Sequence, residues 1–127
     1  MKPCTAIVLL VLPMHAFAGE CLDAAITDTA IEACAARELN RADAALDSAY
    51  AAALTQLDKM AADGDKGAAQ AREQLVSAQQ QWDDFRKADC DVTFFLNVDG
   101  ALRIPATMQC MADHADRRRE VLRHLFD

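Results

Sequence analysis

From Gly19 onward, glycine recurs only at positions 64, 67 and 100, and proline only at 105. Glycine and proline are the residues that most often break a helix, so long stretches of this chain carry no signal to stop one. The intervening sequence is rich in alanine, the best helix former, and has few β-branched residues. The fold class that follows is all-α.

Three helices are predicted. The first runs from about Thr29, where Thr29-Ala30-Ile31-Glu32 has the form of a capping box, to about Ala62. Its apolar stripe is Ile31, Ala35, Leu39, Ala42, Leu46, Tyr50, Ala53, Leu57 and Met60, in steps of three and four. Asp63-Gly64-Asp65-Lys66-Gly67 ends it. The second covers about Ala68 to Cys90, with Ala71, Leu75, Ala78, Trp82 and Phe85 inward. The third covers about Thr107 to Leu125, with Met108, Met111, Ala115, Leu122 and Leu125 inward. Short connections and small alanines make this a small antiparallel three-helix bundle. Its longest connection, 91–106, holds Phe94-Phe95-Leu96 and the turn Asn97-Val98-Asp99-Gly100, whose Asp-Gly pair also suits a small hairpin.

Residues 1–18 read as a cleavable signal peptide. Lys2 is followed by an apolar run from Cys4 to Leu12, then Pro13 and the small-x-small site Ala16-Phe17-Ala18. The run is far shorter than the roughly twenty residues that span a bilayer. Cleavage between Ala18 and Gly19 leaves a single domain, 19–127, with no membrane segment. It keeps all twenty acidic residues and loses Lys2, so the formal charge moves from -7 to -8. That sign disfavours nucleic acid and anionic membranes and suits a basic partner. The destination is the periplasm or the medium.

Export leaves four of the five cysteines: Cys21, Cys34, Cys90 and Cys110. An even set in a small exported domain reads as two disulfides, and neighbour spacing favours Cys21–Cys34 and Cys90–Cys110 out of three connectivities. In an up-down-up bundle both staples fall at one end. The competing reading is a metal site. Cys110 and His114 are one helical turn apart, but no second ligand pair accompanies them in the sequence.

Catalysis has no motif to rest on. Ser48 and Ser77 lie inside predicted helices, and neither a phosphate loop nor a His-Glu-x-x-His motif occurs. Asp83-Asp84 are adjacent on a helix and point apart. No cofactor, metal or enzyme activity is expected. The run Arg117-Arg118-Arg119 sits where a helix C-terminus favours cations. Asp43, beside the first stripe, is expected to pair with Arg86 or Arg118, because a half-buried charge needs a partner. Phe94, Phe95 and Leu96 read first as a plug under the bundle. The functional alternative makes Phe94, Phe95, Leu96, Asn97, Val98, Asp99 and Gly100 a partner-binding loop.

Several motifs resemble the LprI-like lysozyme-inhibitor family, whose N-terminal domain is a small, cysteine-paired helical module. They are Cys21, Thr29-Ala30-Ile31-Glu32-Ala33-Cys34, Ala42-Asp43-Ala44-Ala45-Leu46 with Tyr50, Ala78-Gln79, Trp82, Phe85-Arg86-Lys87-Ala88-Asp89-Cys90, Gly100, Cys110, Arg118 and Leu122. Asp47 stands where the family usually has Asn, and Ala115 where Thr is common. The resemblance implies binding and inhibition of a basic lysozyme, which would protect peptidoglycan. The alternative is a periplasmic scaffold, adaptor or envelope stress protein without lysozyme affinity.

Overall fold

A computed structural model describes Cys21 and residues 27–127. The expected signal peptide, residues 1–18, and its Ala18–Gly19 junction lie outside the described residues. Among the described residues the fold is made by three helices: α1 (Asp28–Ala62), α2 (Ala68–Leu96) and α3 (Arg103–Arg123). No strand occurs among the described residues, so the Asp99-Gly100 hairpin does not form. Gly100 instead closes a turn, its N–H donating to the Asn97 carbonyl over 2.9 Å.

The cap of α1 is Thr27, two residues earlier than Thr29. Its Oγ1 accepts from the Ala30 N–H over 3.2 Å. Thr29 and Glu32 therefore lie within the helix and do not form its capping box. At the other end Gly64 N–H donates to Ala61 O over 3.1 Å, and Asp65 N–H to Met60 O over 3.0 Å. This is the Schellman arrangement, and Gly64 takes the left-handed φ of 96° that it requires. The reversal is thus set by backbone that glycine alone adopts readily. Asp65 Oδ1 then accepts from the Gly67 N–H over 2.8 Å, just ahead of α2.

Helices α2 and α3 are both longer at the shared end than the sequence indicates. Val92, Thr93, Phe94 and Phe95 have modest helix propensity, but α2 continues through them to Leu96. Asn97 ends it, its side-chain amide donating back to the Thr93 carbonyl over 2.8 Å. Pro105 is no boundary, because it sits in the first turn of α3, where no N–H is required for the helical ladder. The connection shrinks to residues 97–102.

Cross-helix contacts fix the directions. Asp43–Arg86 and Asp58–Arg72, each 2.7 Å, pair α1 with α2 in opposite senses. Cys90–Cys110 and Gln79–Arg118 do the same for α2 and α3. Arg41 reaches Asp116 at 2.8 Å along the parallel pair α1 and α3. The bundle is therefore up-down-up, and Cys34, Cys90 and Cys110 share one pole.

The core is narrow. Ala42, Leu46, Ala53 and Leu57 of α1 meet Leu75 of α2 and Ala112, Ala115 and Leu122 of α3. Alanines on facing stripes let the axes approach, at the cost of little apolar area per residue. On α2 the inward stripe is turned part of the way round from the sequence pattern, keeping Leu75 and Trp82 against the core. Ala71, Ala78 and Phe85 are exposed, whereas Ala68, Leu75, Arg86 and Cys90 are buried. Leu125 falls beyond the end of α3 and is exposed.

Candidate functional site

The pole where α2 ends and α3 begins is built around the disulfide Cys90–Cys110, with Cα atoms 5.7 Å apart. A second disulfide, Cys21–Cys34, ties the segment before α1 to its first turns, with Cα atoms 5.8 Å apart. Both closures hold the end that carries the connection.

That connection does not plug the bundle. Phe95 and Leu96 are 68% and 80% exposed, and Val98 and Leu102 remain in solvent as well. Phe94 alone turns partly inward. Its ring packs edge-on against Phe95 at 5.5 Å and beneath the Arg103 guanidinium, also at 5.5 Å. Arg103 is itself tied to the turn by an Nη1–H donated to the Val98 carbonyl over 3.2 Å. The aromatic pair is thus held by the turn while its outer face stays open to solvent.

Two further residues extend this surface. Phe85 and Val92, 58% and 57% exposed, lie on the same face of α2 as Leu96, because steps of seven and four bring a helix back to one side. The signal was present in the sequence as a second period on α2. It was hidden because Phe85 reads naturally as a core residue. From Phe85 to Leu96 this apolar stripe is about 16 Å long. Asp84, Asp91 and Asp99 are close to it in sequence, as are Lys87 and Arg103.

On the flank of the bundle, α1 and α2 leave a cleft of about 520 Å³ between Asp43, Asp47, Tyr50, Gln79, Trp82 and Arg86, among others. Trp82 and Tyr50 are half-buried and form its walls. Arg86 is buried at 5% exposure. It donates from Nη2 to Asp43 Oδ1 over 2.7 Å and lies 5.3 Å from the Trp82 ring centroid. Its Nε finds no acceptor. Arg118 does not join Asp43. Its Nε donates to Gln79 Oε1 over 3.0 Å, and burial pushes its pKa below the ordinary arginine value, opposed in part by Tyr50. This cluster joins helix to helix through polar groups, which sets their rotational register.

No described helix is long and apolar enough to cross a membrane. Disulfides persist in oxidising compartments, so the paired cysteines point to a location outside the cytoplasm. Neither the curated proteins nor the solved structures include a significant match to this sequence. A family model does match, described as lysozyme inhibitor LprI, and it covers residues 21–122. It takes in both disulfides, the cleft and the whole apolar pole, and is named for inhibiting an enzyme rather than for catalysis. On that coverage of most of its length, the chain belongs to the LprI lysozyme-inhibitor family.

Proposed function

We propose that the protein binds and inhibits a basic lysozyme, using the disulfide-stapled pole as its contact surface. Membership of the inhibitor family over residues 21–122 is the observation that carries this reading. The pole has the surface such contact needs. Phe95, Leu96, Val98 and Leu102 are exposed apolar anchors close to one another, with charged residues near them in sequence. The formal charge of -8 left after cleavage steers the approach of a cationic enzyme and suits a rim of complementary charge. In this reading Phe95 and Leu96 enter or cover the substrate cleft, and the two staples keep them in place. Rigid presentation matters because ordering a flexible loop on binding would subtract from affinity. Residues 1–18 direct export, cleavage falls between Ala18 and Gly19, and the product acts in the periplasm or as a secreted protein.

The test is lysis of a bacterial suspension by chicken-type, goose-type and invertebrate-type lysozymes with and without the purified protein. Protection from at least one type is expected. It should disappear on reduction in metal-free buffer and in Phe95→Asp/Leu96→Asp, which retains the helical signal. A folded protein that protects against none of the three at large molar excess overturns the proposal and leaves the scaffold or adaptor reading in its place.

A further inference from the structure

Cys110 and His114 are one turn apart on α3, and the packing of α2 brings Cys90 to the same point. The potential ligand atoms of Cys90, Cys110 and His114 all lie within 4.8 Å of one another. His114 is 14% exposed, and its Nε2 is 2.7 Å from Asp89 Oδ2. Phe85 packs edge-on against the imidazole, ring centroids 5.7 Å apart. These two contacts orient the ring and leave Nδ1 as the nitrogen available to a metal. A carboxylate behind a histidine is the usual outer partner of a metal-binding imidazole. The staple alone requires neither the imidazole nor the carboxylate beside it.

We propose that Cys90, Cys110 and His114 form a zinc site when the Cys90–Cys110 disulfide is reduced. A dithiol supplies two electrons and two protons to the S–S bond and is itself oxidised to a disulfide, leaving two cysteine thiols. Zinc then displaces both thiol protons to water and binds two thiolates and the neutral imidazole. Zn–S bonds of about 2.3 Å and Zn–N bonds of about 2.0 Å place tetrahedral ligand atoms roughly 3.4–3.8 Å apart. Rotation about the two cysteine Cα–Cβ bonds separates the sulfurs to that range. The fourth position is left to water. The metal joins α2 to α3 where the disulfide did, so the apolar pole has a closure in either redox state.

Cobalt(II) titrated anaerobically into the reduced Cys21→Ser/Cys34→Ser protein tests this with a spectroscopic readout. One equivalent should give thiolate-to-cobalt charge transfer and tetrahedral ligand-field bands, and zinc should displace it. Adding His114→Ala should weaken binding at least tenfold. The oxidised protein should give no such bands. If the reduced variant is unfolded, one equivalent of zinc should restore helical circular dichroism, and the further change Cys90→Ser should abolish that recovery. Absence of the charge-transfer band, or equal affinity with and without His114, overturns the proposal.

Discussion

Removing Asp43 should destabilise the bundle more than removing the arginine that it holds. The two partners are unequally buried: the Arg86 side chain is 6% exposed and that of Asp43 is 42% exposed. In Asp43→Ala the guanidinium stays in place without its carboxylate, and its Nε already lacks an acceptor. Stranding one member of a buried pair costs about 3–5 kcal/mol. The Trp82 face still offers a cation–π contact, which places the expected loss near the lower end, about 3 kcal/mol. In Arg86→Met the stranded group is a half-exposed carboxylate that water can solvate. The methionine chain keeps much of the packing, so the loss should be about 1 kcal/mol or less. For a domain of this size, about 1 kcal/mol moves Tm by roughly 4–8 °C. Asp43→Ala should therefore lower Tm by about 12 °C or more, and Arg86→Met by no more than about 8 °C. Urea and thermal melts followed at 222 nm check this, with the double variant expected to recover much of the Asp43→Ala loss. If Asp43→Ala costs no more than Arg86→Met, the burial argument fails.

Other expectations rest on separate features. Gly64→Ala should cost about 1 kcal/mol in urea melts through backbone strain alone, because φ is 96° and no atom lies within 4 Å of an added Cβ. Converting Cys90 and Cys110 together to serine opens a loop with a sequence separation of 20 residues. In the chain-entropy model that loses about 3 kcal/mol, read as a shifted urea midpoint. His124 bonds to Asp127 and Glu120, and those bonds raise its pKa above the ordinary histidine value. Protonation is favoured in the folded state, so the contribution is full below the unfolded pKa and is lost as pH rises through the raised one. The last turn should fray over that interval, and NMR titration of the His124 ring should give an apparent pKa above that in the unfolded chain. An unshifted value would remove the link. Phe95→Asp/Leu96→Asp should lower stability in urea melts by only about 1 kcal/mol, because both side chains are largely exposed and the losses are the Phe94 ring contact and two acids at a helix C-terminus.

The sequence by itself determined the class, the number of helices and the first reversal. Sparse glycine and proline with abundant alanine act locally, and so does the left-handed turn at Gly64. The stripe on α1 was legible because Ala35, Ala42, Leu46, Ala53 and Leu57 repeat at helical spacing over about six turns and bury as the period demands. The neighbour pairing of the cysteines was legible from their spacing along the chain, and the up-down-up bundle then brings both pairs to one pole. Tertiary structure decided which face of α2 turns inward. Phe85 and Arg86 differ by about 100° around the helix, and local hydrophobicity favours the aromatic inside. Asp43 and Trp82 reverse that choice by giving the buried guanidinium an ion pair and a ring face. With Arg86 inward, Phe85 is left outside beside His114, and α2 runs on to carry Phe95 and Leu96 into solvent. The apolar pole therefore depends on a polar contact between helices, which settles which of the two periods on α2 turns outward.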